Sequence, residues 1–297
     1  MRFKKSILPL IVVGATAFAG CTVAYESAYR SSTSTAPARR SAAAAAAQAA
    51  VEGGAPLIAS LSLKASVPKT APLVVARDES AAAAVLTRRV ARQSHPDALR
   101  LAFQAYYNYR AAHPEQVRKP YLYFVDYGLD SREPRGYVFD MDALELVEGP
   151  FTVAHGRGSL RAREGVPTRF TNIQNSATSS LGLFLAQETY DFSGTSNGRR
   201  YRSVGLRLRG MSGSFNSAAR SRGIVVHGAP YVTPVKAGRS EGCPAMEPDR
   251  AERLIPMIAN GGVVFLFGPD ERWLREDPWI HPARNRVAAS GQAGTAG

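Results

Sequence analysis

The sequence predicts a mainly β domain with a few helices, sandwich- or barrel-like, preceded by a short helical segment. Three observations carry this expectation. From Pro120 onward the chain breaks into short β-branched and aromatic runs separated by Gly, Pro, Asn and Asp. Only two later stretches suit short helices, so strands dominate the layers. Before Pro120, apolar residues recur at spacings of three and four, the helical period.

In chain order, residues 1–20 read as a secretory signal. Arg2, Lys4 and Lys5 precede an apolar run from Ile7 to Phe18, which is too short to favour a spanning helix. Phe18-Ala19-Gly20-Cys21 resembles a bacterial lipoprotein lipobox, with Phe18 where leucine is usual. On that resemblance Cys21 is acylated and becomes the first residue of the mature chain. Each buried acyl methylene contributes about 0.8 kcal/mol of membrane affinity. Thr22 in place of an aspartate favours the outer membrane. The alternative is an ordinary cleavable signal with an incidental cysteine. Residues 21–77 are rich in Ala, Ser, Thr and Pro, with an alanine run from Ala42 to Ala47, and read as a disordered linker.

Residues 78–118 form the helical prelude. Asp78 or Ser80 is the candidate N-cap of a first helix, and His95-Pro96-Asp97 separates it from a second. Leu99, Phe103, Tyr106, Tyr107 and Arg110 mark one face of that helix, which His113-Pro114 ends. Residues 119–282 form the β-rich domain. Its expected strands are Tyr121–Tyr127, Gly136–Met141, one within Leu144–His155, Leu181–Tyr190, Tyr201–Leu208, Gly223–Val226 and Val263–Phe267. Short helices are expected between Gly213 and Arg222 and over Asp249–Ala259, the second ending before Gly261-Gly262. Residues 283–297 read as a flexible tail.

The 297 residues carry a formal net charge of +13. A basic surface suits an anionic partner such as a wall polymer or anionic lipid. The cations are scattered, no nucleic-acid motif accompanies them, and the N-terminus indicates export, so nucleic acid is set aside. No metal-ligand spacing occurs and no cofactor is expected. Oligomeric state is not legible.

The chemistry centres on Gly223–Met246. His227 and Cys243 lie sixteen positions apart on either side of a loop, the parts of a thiol nucleophile and its base. An ordinary cysteine is only a few per cent thiolate at neutral pH, so it needs such a base. Gly242 permits a sharp turn whose backbone N–H groups suit an oxyanion hole. Ser240 is placed to bond the loop or the sulfur, and Arg239 to attract a carboxylate. His155, between Ala154 and Gly156, reads equally as a cleft residue or a loop-shaping histidine. A small buried hydrophobe is the competing role for the cysteine. If Cys21 is acylated, Cys243 is left as a free thiol.

His227-Gly228 followed by Ser240-Glu241-Gly242-Cys243 resembles the signature of the L,D-transpeptidase (YkuD-like) domain. The murein L,D-transpeptidase branch is further matched by Val153–Ser159, Ser179–Leu185, Glu188–Tyr190 and Leu206–Arg222. The resemblance covers Leu122 to Phe267 and implies a mostly β catalytic domain acting on peptidoglycan stem peptides. It implies that Cys243 attacks a carbonyl beside a D-residue, releases D-alanine and passes the acyl group to an amine on a neighbouring stem. His227 is then the base, the Gly228 carbonyl orients the imidazole, and the Gly242 and Cys243 amides hold the oxyanion. Many relatives carry Arg or Asn two residues after the cysteine, where this chain has Ala245; Arg239, Arg220 and Arg222 are candidates to replace that contact. Two alternatives stay open: a carboxypeptidase or amidase with water as acceptor, and a non-catalytic lipoprotein tethering membrane to wall.

Overall fold

A computed structural model of the chain describes residues 78–162 and 164–281. The signal, Cys21, the linker and the 283–297 tail lie outside the described residues. Two helices come first, α1 (Glu79–Leu86) and α2 (Ala98–Ala112). The Asp78 carboxylate caps α1 by accepting from the Ala81 N–H. The second helix starts at Ala98, later than Pro96, because His95 Nδ1 takes the Asp97 N–H and holds that residue outside it.

The domain is mainly β. Its large sheet contains β1 (Tyr121–Asp126), β2 (Gly136–Asp140), β3 (Glu145–Phe151), β5 (Gly182–Ser196), β6 (Arg199–Gly210), β7 (Val225–Gly228), β9 (Ala245–Met246) and β10 (Val263–Phe267). The order is β3-β2-β1-β10-β5-β6-β7-β9. A separate parallel ribbon joins β4 (His155–Gly156) to β8 (Arg239–Ser240). In the large sheet β1 pairs parallel with β10, and β7 with β9; the other pairs are antiparallel.

The apolar runs of β1 and β10 are buried almost throughout, as expected for central strands covered on both faces. Phe103 of α2 packs edge-on against Phe139, the register partner of Leu122. On the other face Phe151 stacks on Tyr123 and lies under Arg250 of α3 (Pro248–Ile258). The two helices thus cover opposite faces. Ala251, Leu254, Ile255 and Ile258 form the buried stripe of α3, while Arg250 and Arg253 turn outward to Glu148. A last helix, α4 (Glu271–Glu276), buries Trp273 against Phe265 and Phe267.

Four elements depart from the sequence expectation. β5 and β6 run past their expected ends to form a long hairpin. β7 begins two residues late, because Gly223 (φ 67°) and the Ile224 N–H bond to Ala219 O still belong to the preceding turn. The helix expected over 213–222 is only a short 3₁₀ turn, Gly213–Phe215, followed by turns. Its continuation is diverted by Asn216, which is fully buried. The Asn216 amide donates to Leu181 O and Leu183 O and accepts from the Ser212 N–H. Asn216→Ala removes the amide from the Ser212 N–H and Leu181 O and leaves Leu183 O with only its bond from the Met211 N–H. It should lower stability by about 2–4 kcal/mol, read as a lower denaturant midpoint at unchanged m-value.

Candidate active site

His227 is the third residue of β7. It faces Gly205 of β6 on one side and Ala245 of β9 on the other. Cys243 lies two residues before Ala245, so the parallel register brings its turn alongside β7. There Sγ is 3.8 Å from Gly223 O. Ala245 is held from its other side by the Ala154 N–H, at 2.8 Å from its carbonyl. The ladder therefore assembles His227, Gly228, Gly242 and Cys243 at one place, with the His155 strand beside them.

The imidazole of His227 is 2% exposed. Its Nδ1 is 2.9 Å from Gly228 O, which can only accept, so Nδ1 carries the proton and Nε2 presents its lone pair. Phe192 stacks on the ring at 4.1 Å and 16°. Burial lowers the His227 pKa to about 4, opposed in part by the Gly228 carbonyl. The imidazole is thus a neutral base at neutral pH.

Cys243 is 8% exposed and forms no disulfide among the described residues. Its turn is shaped by Ser240, whose Oγ accepts from the Gly242 N–H at 3.1 Å and donates to Cys243 O at 2.6 Å. Gly242 sits at φ 120°, and a Cβ there would meet Thr178 O at 2.7 Å, so glycine is required on both counts. Its N–H, one of the two amides assigned to the oxyanion, is already bonded to Ser240. Across the turn, Glu241 pairs with Arg157 at 2.7 Å, both side chains well exposed.

The remaining sequence-predicted residues are placed differently from one another. Arg239 pairs by its backbone with His155, and its guanidinium donates a 3.3 Å bond to Ala162 O. Arg222 turns inward to Thr171 O, Ser176 Oγ, Thr178 O and Ser180 Oγ. Arg220 pairs with Glu188 on β5. The ring of His155 is fully buried with Nδ1 2.9 Å from Arg135 Nη2. A guanidinium only donates, so Nδ1 accepts and the proton sits on Nε2. That Nε2 meets no protein acceptor. Burial, then the charges of Arg135 and Arg239, lower the His155 pKa to about 3.

Two residues in this neighbourhood were not singled out from the sequence. Arg135 is fully buried, bonded to Val153 O and Leu129 O, and lies over the Tyr127 ring at 5.0 Å. Burial lowers its pKa to about 10. Nothing in Pro134-Arg135-Gly136 separates it from a surface arginine. Phe192 lies beyond the expected end of its strand; continued alternation of Tyr190 and Phe192 was the available signal. Among the described residues, no group of three or more His, Cys, Asp or Glu is arranged to hold a metal.

A family model for the L,D-transpeptidase catalytic domain matches residues 91–267. The chain belongs to that family. Among solved structures, the chain is similar to the Ldtfm–avibactam carbamoyl enzyme at 15% identity and TM-score 0.32, covering 51% of this chain and 50% of that one. An L,D-transpeptidase from Mycobacterium smegmatis gives 15% and 0.31, with 50% and 59% covered. One from Stackebrandtia nassauensis gives 14% and 0.31, with 58% and 68% covered. The chain thus spans little more than half the length of the first two. No curated protein matches it.

The two buried histidines make stability depend on pH. In the unfolded chain each takes a proton near pH 6.5, but in the fold only near pH 3 to 4. Their contribution is complete above pH 6.5 and is lost as pH falls through that window, at up to about 1.4 kcal/mol per pH unit each. In His155→Gln the side-chain oxygen can still accept from Arg135, but one titrating group is gone. Unfolding free energies measured from pH 3.5 to 6.5 should show a slope shallower by about one such contribution.

Proposed function

We propose that the chain is an envelope cysteine acyltransferase of the L,D-transpeptidase kind, with Cys243 as nucleophile and His227 as base. The observation that supports it best is the His227 Nδ1–Gly228 O bond, which leaves Nε2 basic on the strand beside the cysteine turn. In this reading Nε2 takes the thiol proton and the sulfur adds to the stem-peptide carbonyl. The tetrahedral intermediate collapses to a thioester, and the departing D-alanine amine receives the proton from His227. An amine of a neighbouring stem then attacks the thioester, and its proton returns through the imidazole to the sulfur. The Cys243 amide supports the oxyanion, while Gly242 contributes only by sharing its bond to Ser240.

Burial of both the sulfur and the imidazole keeps water from the acyl-enzyme and supports transfer to an amine over hydrolysis. Arg239 is the cation offered to a stem carboxylate, on the small ribbon that also carries Ser240 and, buried behind it, His155. The lipobox-like residues support anchorage through acylated Cys21 at the outer membrane. The +13 charge supports attraction to an anionic wall.

Incubation with purified muropeptides followed by mass analysis tests the reading. Cross-linked dimers are expected, and trimmed monomers alone would replace transfer by hydrolysis. Cys243→Ala should abolish product; a fully active alanine variant would overturn the assignment. His227→Gln should lower kcat about 10²–10⁴-fold. Because the imidazole stays neutral down to about pH 4, the acid limb of kcat/KM should lie near pH 4 rather than 6.5.

A further inference from the structure

Arg222 closes the turn that leads into β7 and is only half buried, yet both terminal nitrogens of its guanidinium are engaged. Nη1 donates to Ser180 Oγ at 2.6 Å and Thr171 O at 2.8 Å. Nη2 donates to Thr178 O at 2.8 Å and Ser176 Oγ at 3.2 Å. Every one of these acceptors is neutral. Two of the segment's groups also touch the cysteine turn. Thr178 O is the atom that a Cβ on Gly242 would strike at 2.7 Å, and Ser179 Oγ donates to Gly242 O at 3.3 Å. The residue after Arg222, Gly223, supplies the carbonyl beside Cys243 Sγ. One side chain thus fastens the wall behind the cysteine, and its own backbone neighbour touches the sulfur.

A partly desolvated guanidinium bonded only to neutral groups is costly unless a negative charge forms beside it. Burial lowers the Arg222 pKa, and the opposing influence is the charge of Cys243. The other ionisable groups around the sulfur do not supply a counter-charge. Tyr127, just after β1, and Tyr231, in the loop after β7, are kept neutral by burial. His227 is neutral above about pH 4, and Glu241 in the same turn is paired with Arg157.

We propose that Arg222 is a positioning residue for Cys243: it latches residues 171–180 behind the cysteine turn and places a fixed positive charge that favours the thiolate. It is therefore not a substrate-carboxylate contact. Lacking a basic residue two positions after the cysteine, the chain sets that charge from the opposite side of the turn. The proposal rests on Cys243 being the nucleophile.

The test is the pH dependence of Cys243 alkylation by iodoacetamide in the full chain, read on the peptide carrying Cys243 so that Cys21 does not interfere. In Arg222→Met the alkylation midpoint should rise and the rate at pH 7 should fall about tenfold, one pKa unit. Arg222→Lys keeps the charge and should hold the midpoint near wild type while losing turnover, since one ammonium cannot replace the two-armed latch. An unchanged midpoint in Arg222→Met would overturn the electrostatic role. If that variant does not fold, the Ser176→Ala/Ser180→Ala double variant decides. It loosens the latch and keeps the charge, so its midpoint should stay in place. A midpoint rise there that lowers the rate at pH 7 by as much as tenfold would assign the thiol's reactivity to loop geometry instead. Alkylation needs no substrate, so failure of the nucleophile assignment appears separately, as turnover by Cys243→Ala with the alkylation shift intact.

Discussion

The site depends on one short pairing, the parallel contact of β7 with β9. Two residues of β9 carry the ladder between the cysteine turn and the histidine strand, His227 opposite Ala245 and Gly228 opposite Met246. So short a ladder is weak alone. It holds because Ala245 is clamped from its other side by Ala154, in a small apolar cluster with Ala229, Val232 and Ala237. Small side chains let these backbones approach closely. A one-residue slip of β9 would move Cys243 relative to Nε2 and turn its side chains to the opposite face.

Around that pairing, two arginines are wholly or partly buried with their hydrogen bonds made to neutral groups. Arg135 and Arg222 spend their donors on carbonyls, hydroxyls and an imidazole. The arginine–carboxylate pairs Arg132–Asp130 and Arg272–Glu276 lie at the surface, where solvent screens them. Desolvation alone lowers the pKa of His227, whereas for His155 desolvation comes first and the charges of Arg135 and Arg239 second.

Much of the fold was legible because its signals are local. The apolar run Val263–Phe267 matches its strand, and Asp78 caps α1. The reactive pair was legible because His227 and Cys243 sit in a motif with glycines on the correct sides. What failed to show depends on partners distant in sequence. β4, β8 and β9 are two residues each, too short for any periodic pattern, and exist only because they find one another. Arg135 looks like any loop arginine until Val153 and His155 close over it. Asn216 reads as a helix residue until its side chain captures the edges of β5.

The central ladder has a consequence for how the chain reaches this structure. β1 lies beside β10, so Leu122 meets Val263 from far along the chain, and β5 joins the sheet through β10 as well. Contacts of such sequence separation incur loop-closure entropy before they yield stability, which slows folding relative to a helical domain of equal size. Until β10 is present, β1 and β5 each show an apolar strand edge with unpaired amides, the surface on which chains aggregate. A polypeptide ending before Val263 would therefore carry every residue of the reactive site and still lack the strand that joins its two halves.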